Sequence, residues 1–180
     1  MDVKAFDHVA IVVRSLPEAA SLFLGALGGE FMHGGDEEGR EMRTMQIRLA
    51  GTRVELLQPL TERCHLHRYL DRFGEGFHHM TLQVPEIHAA VEELTAHGYE
   101  VVDLNDEDAE WREVYIRPSS GFGTLIQLVE TSKDWNARPG GFTAQHVLDG
   151  EVVWAGQTMV RRTPEMGPAL DRGPGPRSTP

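Results

Sequence analysis

The chain predicts an α+β fold made of two copies of one β-α-β-β-β unit, and three observations point to it. First, His8 opens the stretch HVAIVVRSLPEAA and His79 opens HMTLQVPEIHAA, each passing from an apolar strand pattern into a helical one that ends on glycine, at Gly28-Gly29 and Gly98. Second, TRVELL carries Glu55 and TLIQL carries Gln127, which follow the opening histidines by 47 and 48 residues. Third, 180 residues suffice for one ordinary domain or for two small repeats sharing a core, whereas neither half would bury enough surface alone. An N-terminal His and a C-terminal Glu or Gln from each copy describe a metal site on a pseudo-twofold axis.

Phe6 to Val13 is an apolar, β-branched run that suits a buried strand. Ser15-Leu16-Pro17-Glu18 supplies an N-cap, a proline and an acid in the first turn, so a helix is expected to run to about Leu27 and stop at Gly28-Gly29. His33 to Gly39 reads as a polar, flexible loop, followed by strands at about 41–49 and 53–58 joined at Ala50-Gly51. A linking helix is expected from Thr61 to Phe73. The second unit repeats the order, with a strand at about 78–84, a helix at 85–97 and a strand near 100–104. An acidic loop at 106–110 then leads to a strand pair at about 112–117 and 124–130.

Superposing the units aligns QIRLA with YIRPS, so Gln46 and Tyr115 are expected at equivalent places, with Thr44, Arg48, Glu113 and Arg117 sharing their faces. Beyond Trp135 the pattern changes. Residues 145–148 and 151–154 flank Asp149-Gly150 and read as a hairpin, and from Thr163 a proline-rich segment is expected to be mobile unless a partner orders it. The expected organisation is a two-module domain over 1–133, with modules at 4–60 and 76–131, a C-terminal extension with a hairpin over 134–162, and a disordered tail over 163–180.

A content of 40% hydrophobic and 25% charged residues is that of a globular protein, and a net charge of −11 works against nucleic-acid or anionic-membrane partners. No apolar run approaches the ~20 residues of a membrane span, and the opening MDVKAFDH lacks a signal-peptide layout, so a cytoplasmic address is expected. Cys64, the one cysteine, excludes an intrachain disulfide and a thiolate-rich zinc site.

Imidazoles, a carboxylate and an amide oxygen are ordinary ligands for a divalent first-row metal, so His8, Glu55, His79 and Gln127 form the expected ligand set for one ion of Mn, Co, Ni, Zn or Fe(II). Glu55 stands out because Val54, Leu56 and Leu57 flank it, and an ionised carboxylate buried without a partner is costly. Strand alternation selects His79 over His78 for the inward face. His33, His65, His67, His88, His97 and His146 are expected on loops or helix faces in contact with solvent.

With FDHVAIVV, VELLQP, GFHHMTLQV and RPSSGFGTLIQLVE in this order, residues 6 to about 131 resemble the vicinal oxygen chelate superfamily of glyoxalases, bleomycin resistance proteins and extradiol dioxygenases. Within it the likeness is to methylmalonyl-CoA epimerase-like proteins and, less closely, to glyoxalase I. The resemblance implies paired modules forming a curved mixed sheet around a divalent ion, commonly in a homodimer, with His8, Glu55, His79 and Gln127 at the ligand positions. It also shows two departures: the epimerase pattern has Glu where Gln127 stands, and has an acid-base Glu where Gln46 stands. A glutamine cannot take a proton from carbon at neutral pH. The Lys-rich stretch of the epimerases is replaced by 117–122, RPSSGF.

The resemblance implies an epimerase or isomerase that removes a proton α to a carbonyl through a metal-bound enediolate or enolate. Without an evident CoA clamp, the expected substrate is a small hydroxy-ketone such as a cyclic polyol ketone of the 2-epi-5-epi-valiolone type. The expected catalytic residues are Glu55 as base, as in glyoxalase I, Glu113 as a second base candidate, and Tyr115 as proton donor. The plain alternative for Glu113 is a solvated strand residue paired with Arg112 or Arg48. Other functions compatible with these residues are a methylmalonyl-CoA epimerase or glyoxalase I-like lyase, an extradiol-type dioxygenase, and a ligand-sequestering resistance protein without turnover. An extradiol site carries its carboxylate on the last strand, where this chain has Gln127.

Overall fold

The computed structural model describes residues 1–135, 137 and 140–170. In chain order the elements are β1 (Ala5–Val12), α1 (Leu16–Ala20), β2 (Glu30–Glu37), β3 (Met42–Leu49), β4 (Thr52–Pro59), α2 (Leu66–Phe73) and β5 (Gly76–Gln83). They continue as α3 (Ile87–Ala96), β6 (Val101–Asn105), β7 (Arg112–Ile116), β8 (Leu125–Glu130), α4 (Ala144–Leu148), β9 (Val152–Ala155) and β10 (Thr158–Arg161). The strands form mixed β-structure with few helices, an α+β fold as expected. Two compact units emerge: Met1–Ala10 with His78–Trp135, and Ile11–Phe77 with the described residues of Asn136–Pro180.

In the first unit the strand order is β1-β5-β8-β7-β6, with β5 parallel to β8 and β7 antiparallel to both β8 and β6. Helix α3 forms because Glu86 caps it, its carboxylate accepting from the backbone N–H groups of His88 and Ala89 at 3.0 and 2.6 Å. Those two bonds hold the Glu86 carboxyl below its ordinary range. Ile87, Ala90 and Leu94 recur at helical spacing and bury against Val84, Val114, Ile116 and Leu128, a core in which each large aliphatic side chain contributes roughly 1.5–3 kcal/mol.

The second unit is ordered β10-β9-β2-β3-β4. Ser15 caps α1 as expected, but the helix ends at Ala20 and widens into a π turn over Ser21–Ala26, where Leu27 N–H bonds Leu22 O and Gly29 N–H bonds Phe23 O. Of the expected polar loop at 33–39, residues 33–37 belong instead to strand β2, with 32–36 buried, and only 38–39 lie in a turn. Its glycines are there for contact: a Cβ on Gly34 would lie 2.4 Å from the Thr44 carbonyl oxygen, and one on Gly35 would lie 3.1 Å from that of Val152. Its acid is satisfied inside the protein. Asp36 accepts from Arg43 Nε at 2.5 Å and from Arg162 at 2.8 Å, while Arg43 also donates to Leu148 O at 2.9 Å. Composition read as solvation therefore misled, because buried ion pairs and tight backbone approach use the same residue types.

The C-terminal hairpin is present with a different turn. Residues 144–148 are α4, capped by Thr143, and Asp149-Gly150 ends that helix, so the strands are β9 and β10, which turn at 156–157. The Thr143–His146 capping box outweighs the Asp-Gly hairpin signal. β9 joins β2 in parallel, Asp36 opposite Val153. Residues 163–170 include one 3-10 turn, Pro164–Met166, and 171–180 of the expected tail lie outside the described residues.

Candidate active site

In the first unit, His8 on β1, Thr81 on β5, Gln127 on β8 and Tyr115 on β7 form a connected row. Register causes it, since Thr81 pairs with Gln127 and Gln127 pairs on its other side with Tyr115. His8 Nδ1 lies 2.7 Å from Asp7 Oδ1, and Gln83 Nε2 donates to the other Asp7 oxygen. Both His8 and Asp7 are buried. A carboxylate on Nδ1 fixes the ring and its tautomer and directs Nε2 inward, the support that stands behind metal-ligating histidines.

His8 Nε2 is 3.1 Å from Thr81 Oγ1, whose hydroxyl donates to Gln127 Oε1 at 2.6 Å. Gln127 Nε2 in turn donates to Glu113 Oε2 at 2.6 Å and to the Tyr115 hydroxyl at 2.9 Å. Trp111 Nε1 donates to the same Glu113 oxygen at 2.9 Å. Glu113 is thus buried and bonded to an indole and an amide; it is not the solvated strand residue of the plain reading, and Arg112 pairs with Glu130 at 2.8 Å instead.

His79, two residues before Thr81 and on its face, has its ring centroid 5.7 Å from that of His8 and 6.3 Å from that of Tyr115. Its Nδ1 is 2.8 Å from His78 Nδ1, so one ring donates to the other and both Nε2 atoms point away from that contact. His78, the neighbouring residue on β5, is half-buried and touches His79. Two buried imidazoles and a buried amide, one ring braced by a carboxylate, fit a divalent first-row metal.

In the second unit, Gln46 pairs with Glu55 just as Tyr115 pairs with Gln127, so the superposed repeats agree with the observed register. Gln46 Nε2 donates to Glu55 Oε1 at 3.1 Å, and Arg53 donates to Gln46 Oε1 at 3.4 Å. On the same face Trp154, from the C-terminal hairpin, donates to Thr44 Oγ1 at 3.1 Å. His33, expected in a solvent-exposed loop, is buried on β2 opposite Gln46, its ring centroid 5.9 Å from that of Trp154.

Asp7, Thr81, Trp111 and Trp154 do not stand out in the sequence. Thr81 and Trp111 had a usable signal, each lying two residues from a candidate, His79 and Glu113, on a strand or its edge. Cys64 is buried just before α2, and burial pushes its thiol up, as suits a bystander. Among the described residues no helix is long and apolar enough to cross a membrane.

Known proteins are similar to this chain in sequence and fold. The chain is 31% identical over 126 residues to an ethylmalonyl-CoA/methylmalonyl-CoA epimerase of Cereibacter sphaeroides, covering 68% of this chain and 94% of that one. A mitochondrial methylmalonyl-CoA epimerase of Dictyostelium discoideum is 28% identical over 127 residues, covering 69% and 76% of the two chains. The crystal structure of methylmalonyl-CoA epimerase from Mycobacterium tuberculosis matches with a TM-score of 0.65 at 26% identity, over 73% of this chain and 90% of that one. These relatives favour the acyl-CoA epimerase alternative over the cyclic polyol ketone. Residues 7–115 match the Glyoxalase/Bleomycin resistance protein/Dioxygenase superfamily, and the chain belongs to that superfamily.

Proposed function

We propose that the chain is a divalent-metal-dependent epimerase of short branched acyl-CoA thioesters of the methylmalonyl or ethylmalonyl type, acting at the carbon α to the thioester carbonyl. Its epimerase relatives support the reaction class and the acyl-CoA substrate. The observation that carries the reading is the buried Glu113 carboxylate hydrogen-bonded to Gln127. Although position 127 bears an amide that cannot accept a proton from carbon, a carboxylate one strand away stands against it. The row keeps a base.

The proposed metal ligands are His8, His79, Gln127 and Glu55, of which His8, His79 and Gln127 are buried side chains of the first unit. When bound, the ion supplies Lewis acidity toward a carbonyl oxygen and so makes the neighbouring C–H more acidic. The chain's own residues do the rest. Glu113 takes the α-proton, Tyr115 holds a phenolic proton beside it, and Gln127 orients both through its two N–H bonds. Trp111 fixes the Glu113 carboxylate through its indole N–H. Glu55, held by Gln46, remains the alternative base. The expected homodimer and cytoplasmic address belong to the same proposal.

The test is α-deuterium exchange. Resolved stereoisomers of methylmalonyl-CoA and ethylmalonyl-CoA are incubated in D₂O with protein loaded with Mn, Co, Ni, Zn or Fe(II), and followed by NMR. Inversion with deuterium uptake is expected; no exchange above a protein-free control with either thioester would end this reading, and exchange into a cyclic polyol ketone alone would restore the substrate expected from sequence.

A further inference from the structure

We propose that Thr81 is a positioning residue for the reaction: the one proton of its hydroxyl locks the Gln127 amide in a single orientation and so ties His8, on the metal-ligand side of the row, to the base Glu113. This role rests on the epimerase reading above, and every residue it uses belongs to the first unit.

Proton accounting gives the row a direction. An ionised carboxylate accepts hydrogen bonds and never donates them. At one end Asp7 therefore accepts from His8 Nδ1, 2.7 Å away, while Gln83 Nε2 donates to its other oxygen. At the other end Glu113 accepts from Gln127 Nε2 at 2.6 Å, which turns the nitrogen of that amide toward β7 and leaves its oxygen for β5. Between the ends, Thr81 Oγ1 stands 2.6 Å from Gln127 Oε1 and 3.1 Å from His8 Nε2. Two oxygens come that close only with a proton between them, and an amide oxygen has none to give. Thr81 supplies it.

The amide depends on that hold. The two orientations of a glutamine amide fill nearly the same volume, so packing alone does not choose between them. Glu113 chooses while it is ionised. Once it has taken the α-proton, its carboxyl donates as well as accepts, and an amide turned end for end would satisfy it equally well. Thr81 then has to make the choice. Its hydroxyl has two acceptors beside it, His8 Nε2 and Gln127 Oε1, and a ring nitrogen engaged as a ligand has no lone pair left to accept with. With His8 in that role the proton goes to Gln127, the amide keeps its oxygen toward β5, and its N–H groups stay on Glu113 and Tyr115.

The strand frame suits this task. Thr81 lies opposite Gln127 in the β5–β8 ladder, is fully buried, and as a β-branched residue has little freedom at χ1. A buried strand threonine ordinarily needs one bond to satisfy its hydroxyl. This one stands between an imidazole braced by Asp7 and the amide that holds the base.

Three substitutions separate the proton from the bulk. Thr81→Val keeps the shape and removes the proton, Thr81→Ala removes the hydroxyl and the methyl, and Thr81→Ser keeps the proton and removes the methyl. Each full-length variant, checked by circular dichroism, is titrated calorimetrically with whichever of Mn, Co, Ni, Zn or Fe(II) wild type binds most tightly, and α-deuterium exchange on methylmalonyl-CoA is then followed at saturating metal. Thr81→Val and Thr81→Ala are expected to bind the ion about 10–100-fold more weakly, the usual effect of removing a group that orients a metal ligand, and Thr81→Ser to stay within about threefold of wild type. At saturating metal, kcat for exchange should remain about 10-fold or more below wild type in the first two, because the loss lies in how Gln127 holds Glu113 as well as in affinity. Wild-type metal affinity in either folded variant lacking the proton overturns the role of Thr81, as does a Thr81→Ser protein as weak as Thr81→Val, which would assign the effect to the methyl. Full exchange by Thr81→Val at saturating metal overturns the link to Glu113. A wild-type chain that binds none of these ions, or that exchanges no α-proton, overturns instead the epimerase reading, and this role with it.

Discussion

Replacing Glu113 separates its chemistry from its structural part. Trp111 Nε1 and Gln127 Nε2 both donate to the same carboxylate oxygen, at 2.9 and 2.6 Å. An amide in Glu113→Gln can put its own oxygen at that point and keep both bonds, as neutral in place of charge-assisted ones. Each bond weakens by about 1 kcal/mol on that exchange, partly offset because a charge no longer has to be buried, so the net destabilisation is expected to stay near 1 kcal/mol. Glu113→Ala keeps neither bond. Two buried donors lose their acceptor at about 1–3 kcal/mol each, which for a chain of this size lowers Tm by roughly 5–15 °C. Activity should order the variants differently: both lose the proton-accepting group, so kcat for α-proton exchange drops by about 10²–10⁴ in each. The assay pairs differential scanning calorimetry with deuterium exchange on metal-loaded protein. A Glu113→Gln variant that exchanges at the wild-type rate, or that melts as low as Glu113→Ala, refutes the reasoning.

Three further outcomes are expected. Asp7→Asn keeps the bulk beside His8 but removes the charge that braces its Nδ1, so calorimetric metal affinity should fall about 10–100-fold; an unchanged Kd would detach Asp7 from the ion. Asp36→Ala leaves the Arg43 and Arg162 guanidinium groups buried without their shared acid, and urea unfolding should show a loss of about 3–5 kcal/mol. Glu86 caps α3 with a carboxyl held below its ordinary range by two backbone N–H bonds, first that of Ala89 and then that of His88. A depressed carboxyl stabilises the fold above its unfolded-state value and stops doing so as pH falls through the folded value, so the Tm gap between wild type and Glu86→Ala should be full at pH 7 and close in strong acid. A gap that does not change between pH 7 and pH 2 would mean that the charge is irrelevant to the cap.

Period and repetition make part of this molecule legible in its sequence. The spacing of His8 to Glu55 and of His79 to Gln127, together with strand alternation, is enough to pair Gln46 with Glu55 and Tyr115 with Gln127, because register in a half-buried sheet is fixed by which face is apolar. β2 was not legible, since its glycines, histidine and acid read locally as a solvated loop and only the contacts with Thr44, Val152, Arg43 and Arg162 explain them. The bulge that turns His33 inward has no local sequence mark either; it exists relative to a partner strand. The Asp149-Gly150 turn failed for a related reason, as the same dipeptide closes a helix when the capping box at Thr143 and His146 has already started one. Glu113 was legible in position but not in state, because a carboxylate among alternating strand residues looks solvated until Trp111 and Gln127 are seen to close over it.

The two repeats also show how a duplicated frame can divide a task. At matched register positions one copy has Glu55 and Gln46, the other Gln127 and Tyr115, and at the preceding same-face position of the middle strand Thr44 corresponds to Glu113. Each copy therefore carries one carboxylate, on β4 in the second unit and on β7 in the first. Were both copies to keep a carboxylate at the 55 and 127 positions as well as at 113, Glu113 and its neighbour on β8 would face each other at the 2.6 Å separation now spanned by an N–H donor, and two like charges at that distance in a buried setting cannot both ionise. The amide at 127 resolves that conflict. It gives an oxygen to Thr81 on one side of the row and an N–H donor to Glu113 on the other. Gln127→Glu should accordingly exchange a neutral metal ligand for a charged one and remove the N–H that Glu113 accepts from, binding metal at least as tightly as wild type while its α-proton exchange falls or fails. Unchanged exchange in that variant, at the same pH optimum, would show that Glu113 does not depend on the amide and would return the role of base to Glu55.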